Sequence, residues 1–245
     1  MSNQNQITML PNEIKTNNLK LSEIKSLSSG AKIMYLNYGE SNAPIYIQTP
    51  GMELLWDASY FADSDDQGKF SCKLNFKGHE NNSEIKNFLE KMKEIDEYLI
   101  DMGVKHSKKW FSGKTLNKDT IEQLYTPLVK YSINVETGEV RDEYAPSFSF
   151  KIAKRNNKFQ CRIFNENKDK LNIDDDSNDN YVDMTNILKK GSNMTTLLKC
   201  NGLWFAGGKY GCTWKAEQIK IESVKANLDN YAFRDDEEEF VSDSD

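Results

Sequence analysis

Cysteine and histidine are scarce. Four cysteines occur in 245 residues, Cys72, Cys161, Cys200 and Cys212, and two histidines, His79 and His106. No two cysteines form a Cys-x-x-Cys pair, so a structural zinc site is not expected; free, mostly buried thiols in a reducing compartment are. Long apolar runs are missing as well, and nothing approaches the ~20 residues that a membrane-spanning helix needs. The first twenty residues are polar and rich in Asn and Gln, and do not read as a secretory signal.

Catalytic signatures are equally thin. Neither histidine stands near a serine or cysteine elbow. Gly207-Gly208-Lys209-Tyr210-Gly211 has the glycines of a phosphate loop but no following Ser or Thr, and it reads as a turn between strands. Asp174, Asp175, Asp176, Asp179 and Asp183 match no 12-residue calcium loop and read as a solvated stretch. No catalytic residue, metal or cofactor is expected, and the chain is not expected to be an enzyme.

What is present is charge, unevenly placed, and rings. The chain carries 32 Lys+Arg and 38 Asp+Glu, a formal net charge of -6. From Asp229 to Asp245 eight acids accompany one base, Arg234, so this segment alone carries -7 and the remainder +1. An acidic isoelectric point would argue against nucleic acid, but a detachable acidic segment makes the whole-chain charge a poor guide. With 12 Phe, 11 Tyr and 4 Trp there are too many aromatics for a wholly disordered chain.

Periodicity divides the chain into a flexible N-terminal arm over residues 1–30, a folded domain over 31–228 and an acidic, disordered tail over 229–245. Strands are expected near Ile33–Tyr38 and Ile45–Ile47. A period-two strand is expected through Phe70, Cys72, Leu74 and Phe76. Ile85, Phe88, Leu89, Met92, Ile95, Leu99 and Met102 predict one long helix, capped at Asn81 with Glu84 and stopped at Gly103. Phe148, Phe150 and Ile152 are expected to pair with Phe159, Cys161 and Ile163 across a turn at Asn156-Asn157. A final pair of strands flanks the Gly207–Gly211 turn. Many strands around one substantial helix predict a mainly β fold: a Greek-key barrel of the oligonucleotide-binding (OB) type with an inserted helix.

Three stretches interleave bases and rings. The first holds Lys108, Lys109, Trp110 and Lys114. The second, Phe148 to Phe164, holds Lys151, Lys154, Arg155 and Lys158 and no acid before Phe164. The third holds Lys209, Tyr210, Trp214 and Lys215. A single-stranded nucleic-acid binder needs cations along the backbone and rings on which bases stack, each stack worth roughly 1–3 kcal/mol. The lysines and Arg155 are the phosphate candidates; Trp110, Tyr210 and Trp214 are the stacking candidates. Phe148, Phe150 and Phe159 alternate and suit a core better than a platform. The tail sets Phe233 and Phe240 around Asp235, Asp236, Glu237, Glu238 and Glu239, the chemistry of a nucleic-acid mimic that can occupy a cationic groove or meet a partner.

Pro44 to Met52, the strand Lys69 to Phe76, Tyr125-Thr126-Pro127 and above all Leu203-Trp204-Phe205 through Gly208 to Lys215 resemble single-stranded DNA-binding proteins of nucleocytoplasmic large DNA viruses. These in turn look like the single-stranded DNA-binding protein of bacteriophage T7. The resemblance implies an OB barrel with an inserted helix. It also implies protection of unwound viral DNA during replication, recombination and repair, with an acidic tail that contacts polymerase and helicase. The expected place of action is the viral factory in the host cytoplasm or the host nucleus, with packaging in the virion and a homodimer left open. Here Phe240 is followed by Val241 to Asp245, whereas the phage tail ends on its aromatic. The alternative is a viral structural or scaffold protein acting through protein–protein contacts.

Overall fold

The computed structural model describes residues 8–28, 30–64 and 67–223. The elements that position the site are β1 (Lys32–Met34), β2 (Tyr46–Gln48), β3 (Met52–Glu53), β4 (Ser59–Ser64), β5 (Gln67–Asn75), α1 (Ser83–Lys105), α2 (Ser107–Trp110), α3 (Lys118–Leu124), β6 (Ser147–Arg155), β7 (Arg162–Phe164), β8 (Asn193–Ala206) and β9 (Lys209–Ser223). Among the described residues no helix is long and apolar enough to cross a membrane.

The Greek-key barrel expected from the sequence is not what forms. The main path of the large sheet runs from Thr8–Met9 through β2, β8, β9, β6 and β5 to β4, and among the described residues the two ends do not pair. The fold is mixed α/β: a large open sheet with one long inserted helix. The reason lies in how β9 shares its second edge. Tyr125–Thr126 pairs with it at Tyr210–Gly211, β6 touches it at the single pair Lys151↔Lys215, and β7 pairs with it at Gln218–Lys220. Three short parallel partners replace one continuous neighbour. On the far side the isolated bridge Leu54↔Leu74 is one residue pair rather than a ladder.

Local signals held better than topology. β8 and β9 pair antiparallel from Asn193↔Ser223 to Ala206↔Lys209, with Gly207 and Gly208 at φ +58° and +78° in a two-residue turn that favours glycine. Asn156 and Asn157 also turn with positive φ, joining Arg155 to Lys158. That hairpin is short. Beyond it the chain leaves to pair β7 with β9, so Phe148, Phe150 and Ile152 lie opposite Leu74, Cys72 and Phe70 of β5 and not opposite Phe159, Cys161 and Ile163.

Helix α1 buries the predicted stripe of Ile85, Phe88, Leu89, Met92, Ile95 and Leu99. Its cap is Asn82, one residue later than expected, whose side chain accepts from the backbone N–H groups of Glu84 (2.9 Å) and Ile85 (3.1 Å). Gly103 does not stop the helix, which runs on to Lys105. The glycine is there because Tyr210 and Ile121 press on that position, where a Cβ would collide with both. The core continues as a chain of rings: Phe76 meets Phe88 at 5.5 Å, Phe88 meets Phe148 at 5.4 Å, and Phe148 meets Trp214 at 6.4 Å between centroids.

One acid interrupts the apolar stripe. Asp96 is buried, and its carboxylate accepts from the Tyr125 hydroxyl (2.6 Å) and from the N–H groups of Leu128 (2.8 Å) and Val129 (3.1 Å). Burial pushes its pKa up, and the three hydrogen bonds oppose that shift. The carboxylate fastens the strand-like segment 125–130 to α1, and so sets where β6 begins. Met9, Ile14 and Leu19, from the segment before Gly30, belong to the same core.

Candidate nucleic-acid interface

Alternation along β5 decides what the outer face of the sheet carries. Phe70, Cys72 and Leu74 are buried, so Lys69, Ser71, Lys73 and Asn75 face the other way. Across the ladder Ser71 lies opposite Lys151 and Lys69 opposite Ala153. Lys151 is in turn opposite Lys215 of β9, and Lys215 opposite Lys199 of β8. Residues directly opposite share a face. A row of Lys69, Lys151, Lys215 and Lys199 therefore crosses four strands, about 15 Å at ordinary strand spacing.

This row floors a groove of about 610 Å³ that Lys154 and Arg155 also line. Among the described residues Asp63 is the one acid lining it, and it pairs with Lys69 at 3.1 Å. Lys215 pairs with Glu217 at 2.7 Å. Among the described residues Lys151, Lys154, Arg155 and Lys199 form no ion pair. Lys151 is held below the ordinary lysine range by burial first and then by the charge of Lys69, with Asp63 pulling it back up and Lys130 pushing it further down. Lys199 is held above that range, chiefly by Tyr46, whose ring centroid lies 5.2 Å from its ammonium. Cations gathered this closely, four of the six without an ion-pair partner among the described residues, form a site of positive potential with room for an anion.

Rings stand at the groove's edges. Tyr35 lines it, is 41% exposed and has the Lys25 ammonium 5.1 Å from its centroid. Phe61, on β4 opposite Lys69, is 53% exposed. Phe159, with the Lys154 ammonium 5.5 Å from its centroid, packs on Phe70 instead and does not line the groove.

The residues singled out from sequence divide sharply. Lys151, Lys154, Arg155 and Lys215 line the groove, and Lys158 sits at the adjacent hairpin tip opposite Arg155. Lys108, Lys109, Lys114 and Lys209 are not part of it. Lys109 is paired with Glu23, and Lys209 follows the Gly207–Gly208 turn at the other end of β9. The three stacking candidates are corrected outright. Trp110, Tyr210 and Trp214 are 5%, 0% and 1% exposed. Trp110 and Tyr210 lie edge to face at 5.6 Å within a ring cluster that includes Phe111 and Phe205, and Trp214 packs on Phe148. They are core because they alternate on the inner face of β9 or seal α2 against it. Phe233, Asp235, Asp236, Glu237, Glu238, Glu239 and Phe240 lie outside the described residues.

Sequence reasoning missed Lys69, Lys199, Tyr35 and Phe61. The signal for Lys69 was available, since the same alternation that buries Phe70 and Cys72 turns Lys69 outward. Lys199 and Tyr35 depend on strand pairing between distant segments, which no local pattern carries.

The class that these features define is an open-sheet protein with a cationic, ring-edged face. The chain belongs to DUF5871, a family of unknown function, whose model matches residues 72–235. No curated protein matches the sequence. Among solved structures the chain is similar to gp2.5, a single-stranded DNA-binding protein encoded by bacteriophage T7, at 8% identity, over 78% of this chain and 98% of that one, with a TM-score of 0.42. It is also similar to the single-stranded DNA-binding protein of bacteriophage Enc34 in complex with single-stranded DNA. That match has 12% identity, covers 85% of this chain and 97% of that one, and has a TM-score of 0.41. Both are phage proteins, whereas the residue resemblance pointed to large DNA viruses.

Proposed function

We propose that the protein binds single-stranded DNA without sequence preference and without a catalytic step, along the groove floored by Lys69, Lys151, Lys215 and Lys199. The observation that carries this reading is the row of lysines crossing four strands, in which two, Lys151 and Lys199, have no acidic partner among the described residues. Phosphates satisfy such a row, and a single strand leaves its bases free to lie on Tyr35 and Phe61. A duplex keeps its bases stacked and offers the exposed rings nothing.

In this reading the protein covers unwound viral DNA during replication, recombination and repair. The acidic segment 229–245 competes for the groove and, once displaced, meets the polymerase or helicase. Its support is charge complementarity: a segment of -7 in the same chain as a body of +1 that brings six of its cations to one groove.

Titration with a labelled oligothymidylate and with a duplex of equal length tests the reading, for the full chain and for residues 1–228. Four unpaired cations engaging phosphates give a salt slope of about -3 on the single strand. Single-strand binding is expected to exceed duplex binding, and truncation to tighten it most at low salt. Tighter binding to duplex, or no slope, overturns the single-strand reading. Equal affinity of the two chains removes the competing role of the acidic segment.

A further inference from the structure

A second recess of about 970 Å³ lies on the same face of the sheet. Lys73, Asn75 and Ser147 form its floor, on the outward-facing positions of β5 and β6 that continue from Lys69 and Lys151. Lys73 stands four positions beyond Lys69, about 13 Å along the strand, with Ser71 and Ser149 between the two cavities. Its walls are the Leu55–Trp56 segment, tied to β5 by the Leu55 N–H donating to the Lys73 carbonyl at 2.8 Å, and the 130–145 hairpin held by the Ile133↔Val140 bridge.

What lines these walls is unusual for a surface. Trp56, Tyr131 and Tyr144 are 56%, 41% and 51% exposed. Each carries a cation over its ring: Lys190 over Trp56 at 4.9 Å, Lys93 over Tyr131 at 5.4 Å and Arg141 over Tyr144 at 4.5 Å. Glu80, Asp142 and Glu143 line the recess as well, Glu143 paired with Arg141 at 2.9 Å. Three large rings left in water around Lys73 and Lys130 contribute nothing to the core. They do have the chemistry of a base-stacking platform, since every nucleobase presents a π-face and every phosphate a charge.

We propose that this recess is a second subsite for the same single strand, in which Trp56, Tyr131 and Tyr144 hold unstacked bases while Lys73 and Lys130 take the phosphates between. The inference rests on the single-strand reading of the first groove and extends it: the strand crosses from the lysine row over Ser71 and Ser149 into the recess. Continuity is electrostatic as well as geometric. Burial and the charge of Lys73 hold Lys130 below the ordinary lysine range, and the field of Lys130 in turn reaches Lys151 in the groove. One polyanion spanning both cavities relieves all of these like-charge contacts together.

The test compares oligothymidylates of about 4 and about 12 nucleotides, near the limits of single-strand site sizes, binding the full chain and its Trp56→Ala and Lys151→Ala variants. Trp56 is exposed, so its removal leaves the core intact. The long strand is expected to quench tryptophan emission and to lose roughly tenfold in affinity on Trp56→Ala, about one stack. The short strand, held by the groove, is expected to lose affinity on Lys151→Ala and little on Trp56→Ala. Trp56→Phe is expected to restore long-strand affinity without the quench. If the long strand binds and neither Trp56 variant changes it, the recess is overturned, its rings are left to a protein partner, and the groove stands. If Trp56→Ala weakens both lengths alike, the subsite is likewise overturned. If neither length binds the unaltered chain, the single-strand reading itself fails, and the recess with it.

Discussion

Reversing two charges, Lys151→Glu with Lys154→Glu, is expected to weaken oligothymidylate binding roughly a hundredfold, about 3 kcal/mol, while the fold stays intact. Both residues line the groove and neither pairs with an acid among the described residues. Substitution therefore removes phosphate contacts without orphaning a partner. Lys151 also sits among Lys69 and Lys130, whose charges press on it. A glutamate there gains two cationic neighbours in place of repulsion, so folding is expected to be unharmed or slightly favoured. The salt slope should fall by about 1.4, at 0.7 per lost phosphate on a single strand. The measurement is anisotropy at two salt concentrations beside a denaturant melt. A variant that melts as the parent does but binds with unchanged affinity and slope would remove the groove from the site.

Trp214→Ala and Tyr210→Ala are expected to cost about 3–5 kcal/mol of folding stability, and to alter DNA binding only through the loss of folded protein. Trp214 fills space beside Phe148, with its indole N–H unpartnered. Tyr210 is ringed by Trp110, Phe111, Tyr125 and Phe205, and its hydroxyl donates to the Leu99 carbonyl at 3.2 Å. Tyr210→Phe keeps the ring and drops one hydrogen bond, so about 1 kcal/mol is expected. Urea unfolding followed by titration under fully folding conditions separates the two roles. A stable alanine variant with a tenfold loss of affinity would show that these rings meet bases after all.

The contrast between Trp214 and Trp56 explains how far sequence carries. Period-two and 3.6-residue patterns are local, and they located β5, the α1 stripe and the β8–β9 hairpin closely. They also report burial, because a residue in phase with Phe70 or Ile219 faces inward. Trp214 and Tyr210 are in phase with Cys212 and Ala216, but an irregularity at Glu217 shifts the inward phase before Ile219. One uniform alternation along β9 therefore misplaces them, and their place beside lysines in the chain says nothing about the face they share. Trp56 is in no periodic run, and its exposure follows from a nonlocal tie between Leu55 and Lys73. The lysine row is nonlocal in the same way. Lys69, Lys151, Lys199 and Lys215 are scattered over some 150 residues and meet through ladders that depend on which edges of β9 remain for β6. The same division of edges left the sheet open where a closed barrel was expected.

Photo-crosslinking of the full chain to an oligothymidylate, with the linked peptides mapped by mass spectrometry, reads directly where a strand lies. Crosslinks are expected at Tyr35, at Phe61 and within Lys151–Arg155, and they should disappear with Lys151→Glu/Lys154→Glu. Crosslinks confined to the Lys105–Lys118 segment and the Gly207–Gly208 turn, with none on the outward face of β5 and β6, would contradict a strand held on that face.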